Sequence, residues 1–410
     1  MRLSAGKLLC AIAIISLCEP LGLYSNEVIH PIYSVGKIIA LCYAIFLVVS
    51  KNCRVDDYIA LVISWGLFML IPTLANGGNW RVWFREFYMY SSIIIVVQYW
   101  IRRDTRFFLK ICSLMFCLIL VLNYITFIQL GPDIEYNGSF GGTGINYLIG
   151  GRIRIGDWTI TALAITSLYG RRKKLYGFRF LITALTAALF IFGNWVSTSV
   201  LCIFLFLILL LFLKNEKVIA RLAGWSFFGS ALICILTIIF RFQNKFSWLI
   251  VDLLHEDLTL NGRTAIWDAV INQILNSPII GHGYGASKAF LFYHSEYVDK
   301  VTSAAHNQYL AWLYDGGIIS FILCALIIIV AMEGLKRSNN MQAKKILAIS
   351  LAIYFILMIP EVACNNTSFF LFLTVIRNGY CFNKENYEII QNIQPEYRRN
   401  QEVRAMREVS

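Results

Sequence analysis

His306 occupies a position where an imidazole could act as a general base. It directly precedes Asn307, and a long apolar run follows, so Asn307 is predicted to cap the N-terminus of a helix. A helix N-terminus carries about half a positive charge and unpaired N–H groups, which disfavour a further positive charge beside it. We therefore expect His306 to be neutral at about pH 7, with one ring nitrogen free to accept a proton.

Arg263 and Trp267 lie upstream of His306, on a second predicted helix. This helix is predicted to begin near Asn261, and its apolar residues recur at a helical spacing until Pro278 ends the pattern. Arg263 and Trp267 are four residues apart and share one face. One interpretation is an anchor lying on the membrane surface, with Trp at headgroup depth and Arg bound to lipid phosphate. The other is a functional site.

A glycine-rich turn, with Gly281 and Gly283, follows this helix. Glycine at these positions permits a tight turn and a close approach of backbone to a ligand. The turn is not a dinucleotide fingerprint, because no strand precedes it and its spacing differs.

Metal and disulfide sites are not indicated. The five histidines form no HxH or HxxxH pair. The eleven cysteines are scattered singly, without a disulfide framework or zinc spacing. The formal charge of +12 does not form a basic stripe interleaved with aromatics, so nucleic-acid binding is not supported.

The elements that must position these residues are predicted to be membrane spans. Of the 410 residues, 58% are apolar or aromatic and only 15% are charged, which is too little charge for a soluble globule. Windows of roughly 20 apolar residues predict about twelve spans. The predicted spans are Leu8–Tyr24, Ile32–Ser50, Tyr58–Ala75, Phe87–Ile101, Phe107–Leu130, Trp158–Gly170, Phe180–Gly193, Val196–Leu213, Val218–Phe240, Asn307–Met332, Ile346–Val362 and Phe369–Phe382.

Two details within these spans leave alternatives open. The short pair around Gly193 to Thr198 fits two spans, a single broken helix or a re-entrant turn. Lys37 lies inside a span, where its ammonium is expected to snorkel outward, and Glu19 lies near the end of the first span.

Most of the 36 Lys and Arg residues fall in alternate connections, which orients the chain with both termini in the cytoplasm. Residues 1–240 then hold nine spans, 241–306 a large periplasmic loop that carries the site, 307–382 three spans, and 383–410 a cytoplasmic tail. The predicted location is the bacterial inner membrane.

The ordered motif resembles the O-antigen polymerase and O-antigen ligase superfamily of bacterial envelope glycosyltransferases. In that superfamily an Arg precedes a Trp on a helix of the outer loop. A Pro and a Gly-x-Gly turn follow, then His-Asn opening a transmembrane helix with a Gly further on. The residues that match are Arg263, Trp267, Pro278, Gly281, Gly283, His306, Asn307, Gly316 and Gly317. One turn departs from the pattern, because Ser197-Thr198-Ser199 stands where many members carry a Ser followed by a basic residue.

The resemblance implies an all-α, GT-C-like polytopic fold with short helices in its large loop. It also implies glycosyl transfer on the outer face from an undecaprenyl-diphosphate-linked sugar, without metal or cofactor. His306 would be the base for the acceptor hydroxyl, and Arg263 would bind the leaving diphosphate. The predicted substrate-binding residues are Arg152, Arg154, Arg241, Asn307, Gly281, Gly283 and Trp267, and the alternative outer arginines are Arg81 and Arg85.

Several functions remain open from sequence. A polymerase of O-antigen, capsule or another exopolysaccharide is favoured, because such proteins diverge widely and this chain keeps only the minimal shared motif. The alternative is a ligase that transfers glycan to the lipid A core. A flippase or transporter of lipid-linked oligosaccharides is less favoured, because few ionisable residues lie within the spans. The expected partners are the lipid-linked donor and membrane lipids, with a chain-length regulator as a further candidate.

Overall fold

The computed structural model describes residues 4–133, 145–171, 177–246, 248, 263–284, 291–294, 299–302 and 305–383. These residues form fourteen α-helices and one two-stranded hairpin, so the fold is helical as predicted and the loop contains a hairpin besides its helix. The helices are α1 Ala5–Leu17, α2 Ile29–Val49, α3 Asp57–Phe68, α4 Leu70–Ala75, α5 Trp80–Arg103, α6 Thr105–Leu130, α7 Ile155–Gly170, α8 Phe178–Gly193, α9 Ser197–Phe212, α10 Glu216–Ile238, α11 Arg263–Asn276, α12 Gln308–Arg337, α13 Met341–Leu357 and α14 Thr367–Arg377. The antiparallel strands are β1 Leu291–His294 and β2 Asp299–Thr302.

Within the described part of the chain, five helical segments are long and apolar enough to cross a membrane, and four shorter apolar helices accompany them. The five are Ile29–Val49, Asp57–Ala75, Thr105–Leu130, Glu216–Ile238 and Gln308–Arg337. Every predicted span overlaps a helix of the structure, with α3 and α4 together matching one. The pair around Gly193 consists of two helices, α8 and α9, joined at Trp195, whose φ is +46°. The total number of spans stays a prediction.

Amide and carboxylate side chains begin many of these helices. Asn307 accepts a hydrogen bond from the backbone N–H of Leu310 at 2.9 Å, which confirms its predicted capping role. Such a bond satisfies one of the N–H groups that a helix start leaves without an intrahelical partner. The same kind of contact is made by Asp56, Asn79, Asp104, Asn215, Asn340 and Asn366.

The core lies around α7, α13 and α14. Every residue of α14 is buried, as are nearly all of α7 and most of α13. In contrast, α2, α9 and α10 turn large apolar residues outward, among them Val49, Phe212 and Phe228. An apolar outer surface around a buried helical core is the arrangement expected of a protein surrounded by lipid.

The helix ends carry ion pairs that join segments predicted to share one side of the membrane. Lys7 at the start of α1 lies 2.8 Å from Asp104, which follows α5. Arg377 at the end of α14 lies 2.8 Å from Glu333 near the end of α12. All four residues belong to the predicted cytoplasmic side, and we call this side of the helical core the Arg377 end.

Lys37 does not snorkel outward. It is 3% exposed, and its Nζ lies 2.5 Å from Glu19 Oε2, while the other oxygen of Glu19 lies 2.9 Å from His30 Nδ1. Pro20 cannot continue α1, so the chain turns after Leu17 and presents Glu19 to α2. Lys37 thus pairs with the internal carboxylate of Glu19, whereas the sequence predicted that its ammonium would reach water.

Candidate functional site

Helix α11 packs against the start of α12, and this contact holds one face of the site. Trp267 is 1% exposed, and its indole N–H donates to the backbone carbonyl oxygen of His306 at 3.3 Å. Val270, one turn further along, is fully buried. The interpretation of Trp267 as a membrane-surface anchor is therefore wrong, because its ring lies inside the protein. The helix begins at Arg263 within the described residues, and Asn261 lies outside them.

Arg263 and His306 meet at Glu361, which follows α13. Arg263 Nη2 donates to Glu361 Oε1 at 2.6 Å, and Glu361 Oε2 lies 3.9 Å from His306 Nδ1. The second distance is too long for a hydrogen bond but short enough for the two groups to interact electrostatically. The side chains of Arg263, His306 and Glu361 are 20%, 27% and 13% exposed, so each is partly buried yet open to a ligand. We call these three residues the Arg263–Glu361–His306 cluster.

His306 has an unusual backbone conformation. Its φ is +44°, in the left-handed region that residues with a β-carbon rarely adopt. The neighbouring Asn307 fixes this geometry, because its Oδ1 caps α12 while its Nδ2 donates to the carbonyl oxygen of Ile359 at 2.8 Å. Strain of this kind persists where the surroundings impose it, as at functional sites.

Gln308 joins the start of α12 to the connection between α13 and α14. Its backbone N–H donates to Met358 O at 3.0 Å, its Oε1 accepts from the N–H of Cys364 at 2.7 Å, and its Nε2 donates to Asn365 Oδ1 at 3.0 Å. Glu361 lies within this connection. The bonds of Gln308 and Asn307 therefore hold Glu361 at a set position relative to His306.

Arg154 and Asp157 form a further wall at the start of α7. Asn366 Nδ2 donates to Asp157 Oδ2 at 2.7 Å, and Arg154 Nη1 lies 4.0 Å from the same oxygen. Asn366 belongs to the same α13–α14 connection as Glu361. Of the predicted substrate-binding arginines, Arg154 is thus linked through Asp157 to the segment that carries Glu361, and its substrate role stays a prediction.

The other predicted arginines have partners elsewhere. Arg152 Nη1 donates to the backbone of Asp133 at 3.0 Å. Arg241 forms an ion pair with Asp268 on α11 and donates to Thr264 O at 3.2 Å. The alternative residues lie at the start of α5, where Arg85 is paired with Glu86 and Arg81 lies over the ring of Trp80. The substrate roles of these four arginines stay predictions.

Gly281 and Gly283 lie against protein backbone. Both have positive φ, +69° and +78°. A β-carbon on Gly281 would lie 2.5 Å from the backbone nitrogens of Gly316 and Gly317, and one on Gly283 would overlap the backbone of Thr73. The close approach that the glycines permit is thus to the backbone of the protein itself, which gives them a structural role. Their binding of substrate stays a prediction.

The glycine turn packs against a break in α12. Gly316 and Gly317 have non-helical angles, so α12 is not the continuous helix expected from its apolar run. The N–H groups of His282 and Gly283 donate to the carbonyl oxygens of Tyr314 and Asp315 at 2.9 and 2.7 Å. Carbonyl groups that are exposed near the helix break are thereby hydrogen-bonded.

The turn Ser197-Thr198-Ser199 approaches the site from α9. A β-carbon on Gly156 would lie 3.0 Å from Ser199 Oγ, which places the start of α9 against the start of α7, beside Arg154.

Glu361 is the residue of the Arg263–Glu361–His306 cluster that was not predicted from the sequence. It fell inside a predicted span, Ile346–Val362, because a hydropathy window tolerates one charge. Two signals were available in the sequence. Glu361 is the sole acidic residue between Glu333 and Glu385, and Pro360 directly before it marks a helix end.

One comparison with known protein families gives a match. Residues 180–325 match the family model described as O-antigen ligase, a range that contains Arg263, Trp267, His306 and Asn307 but ends before Glu361. No curated protein matches the chain. The match covers less than half of the chain, and it confirms the resemblance of residues 180–325 to the O-antigen polymerase and O-antigen ligase superfamily.

Proposed function

We propose that this chain is a polysaccharide polymerase that transfers a glycan from undecaprenyl diphosphate to a lipid-linked repeat unit. The product would be O-antigen, capsule or another exopolysaccharide. The proposal places the chain in the bacterial inner membrane with about twelve spans and both termini in the cytoplasm. The reaction takes place at the periplasmic side, where the Arg263–Glu361–His306 cluster would lie.

One observation carries the proposal. Arg263 and His306 come from separate elements and meet at Glu361, both partly exposed. Glycosyl transfer from a lipid diphosphate needs a cation for the leaving group and a base for the acceptor, and these two residues supply one of each.

In the proposed reaction, the acceptor hydroxyl oxygen attacks the anomeric carbon of the donor sugar. A new glycosidic C–O bond forms, the bond from that carbon to the diphosphate oxygen breaks, and its electron pair stays on the diphosphate. His306 takes the acceptor proton on its free ring nitrogen and later releases it to solvent. Arg263 stabilises the negative charge that develops on the leaving oxygen.

The distribution of contacts supports the proposed orientation. Lys7, Asp104, Glu333 and Arg377 pair with one another at the Arg377 end, whereas the cluster lies at the opposite ends of the helices α12, α13 and α14. Basic residues retained at the Arg377 end would meet anionic lipid of the cytoplasmic leaflet.

Transfer to the lipid A core is the second candidate, favoured by the description of the matching family as O-antigen ligase. Both functions use the same chemistry and differ in acceptor. A deletion strain tests the choice. Loss of a polymerase leaves lipopolysaccharide capped with one repeat unit, whereas loss of a ligase leaves unmodified core and accumulated lipid-linked polymer. Absence of released undecaprenyl diphosphate from a reconstituted transfer reaction would instead contradict both and favour a transporter.

A further inference from the structure

Glu361 is the acidic residue between the proposed base and the proposed diphosphate ligand. It has one carboxylate oxygen 2.6 Å from Arg263 and the other 3.9 Å from His306. We propose that Glu361 is a positioning residue that occupies the anion site of Arg263 until the donor diphosphate displaces it, and that it then holds His306 through Nδ1–H. This inference rests on the proposed glycosyl transfer.

The two carboxylate oxygens of Glu361 make contacts of different length. Its contact with Arg263 is a short, charge-assisted hydrogen bond, the kind that guanidinium also makes with phosphate oxygens. Its contact with His306 is longer than a hydrogen bond. In the structure, Glu361 is therefore held more closely by Arg263 than by the imidazole of His306.

A diphosphate is a stronger competitor for Arg263 than a single carboxylate, because it carries more negative charge and more acceptor oxygens. Once Arg263 turns to the diphosphate, Glu361 is left with His306 as its nearest cationic or N–H partner in the cluster. A hydrogen bond from Nδ1–H to Glu361 would fix the tautomer in which Nε2 is free to accept the acceptor proton. Donor binding would thus place His306 in the tautomer that can act as the base.

The backbone around Glu361 suits a small movement of this kind. The backbone on either side of Glu361 is held by hydrogen bonds, since Ile359 O accepts from Asn307 and the N–H of Cys364 donates to Gln308. The carboxylate can change partner by side-chain rotation while its backbone keeps its place beside α12.

Glu361→Gln tests the proposal, because it keeps the shape and removes the charge. We expect its kcat in a reconstituted transfer assay to fall at least about tenfold, since the base loses the group that orients it. We expect its KM for the donor to fall roughly two- to fivefold, since a competing ion pair is removed. A purely structural residue would not lower kcat and KM together.

Binding without turnover provides a second measurement. Geranylgeranyl diphosphate in detergent should bind Glu361→Gln more tightly than the wild type, and Glu361→Asp, which keeps the charge, should restore part of kcat. Unchanged or weaker binding by Glu361→Gln, with a folded protein, would overturn the proposal. If the Gln variant does not fold, equal donor affinity in Glu361→Asp and wild type together with unchanged kcat would overturn it.

Glu333→Gln is the matched control. Glu333 also pairs with arginines, Arg337 and Arg377, but at the Arg377 end. It should change neither kcat nor donor KM. The proposed function is tested separately by His306→Ala: an active His306→Ala protein contradicts the glycosyl-transfer mechanism itself, whereas an inactive one beside a wild-type-like Glu361→Gln contradicts only the role of Glu361.

Discussion

Trp267 donates its indole N–H to the carbonyl oxygen of His306 at 3.3 Å, so α11 is tied to the residue that precedes the N-cap of α12. The same face of α11 carries Arg263, one turn before Trp267, and Arg263 reaches Glu361. The four-residue spacing of Arg263 and Trp267 thus has a physical reason. The Trp267 side chain holds α11 against His306, and the Arg263 side chain on the same face then directs its guanidinium to Glu361.

Replacing Trp267 separates these two effects. Trp267→Phe keeps most of the packing but leaves the carbonyl of His306 without its donor, which should lower the free energy of unfolding by about 1–3 kcal/mol. Trp267→Ala also creates a cavity and should cost about 3–5 kcal/mol. Thermal unfolding in detergent measures both. Equal stability of Trp267→Phe and wild type would show that the hydrogen bond contributes nothing.

His306→Ala should abolish polysaccharide formation while the protein accumulates to its normal level. A general base contributes typically about 10²- to 10⁴-fold to a rate, so the reconstituted transfer rate should fall by that order. His30→Gln is the control, because His30 contacts Glu19 between α1 and α2 and lies outside the cluster. A normal polysaccharide ladder from cells carrying His306→Ala would rule out the proposed base.

Arg263→Lys keeps a positive charge and loses the forked pair of donors that a diphosphate binds. Hydrogen bonds to charged groups contribute about 1.5–3 kcal/mol, so we expect the transfer rate to fall by roughly 10- to 100-fold. Arg337→Lys makes the same exchange at an exposed residue of the Arg377 end and should leave the rate unchanged. Full activity of Arg263→Lys would mean that charge alone is sufficient.

Gly283→Ala should destabilise the protein, because φ is +78° and the new β-carbon would overlap the backbone of Thr73. We expect a loss of about 1–3 kcal/mol or more in the free energy of unfolding. Gly224 lies within α10 with open space around it, so Gly224→Ala should be neutral or stabilise by up to about 1 kcal/mol. Comparable unfolding of the two variants would contradict the packing role of the glycine turn.

Much of the fold follows from hydropathy, because a helix that faces lipid must carry a long apolar run. The overlap of Phe107–Leu130 with α6 and of Val218–Phe240 with α10 shows this directly. Local chemistry also predicted Asn307 as a cap and the end of α11 before Pro278. These features depend on residues close in sequence, which is why a single sequence contains them.

The contacts between distant segments could not be predicted in the same way. Lys37 contacts Glu19, and Arg263 contacts Glu361, only once the helices have packed. Nothing in the residues beside Trp267 distinguishes a ring buried against His306 from one at a lipid surface. The sequence therefore predicted Arg263 and His306 as residues of the candidate site. It did not predict Glu361, which contacts Arg263 and lies near His306, because Glu361 falls within an apolar window.

The break at Gly316 and Gly317 changes where the loop ends. The first two turns of α12, up to Asp315, are bonded to the glycine turn on one side and to the α13–α14 connection on the other. They belong with the loop as one structural unit, although hydropathy assigns them to a span. A force applied to the lipid-facing part of α12 would meet this break at Gly316 and Gly317 before it reached His306.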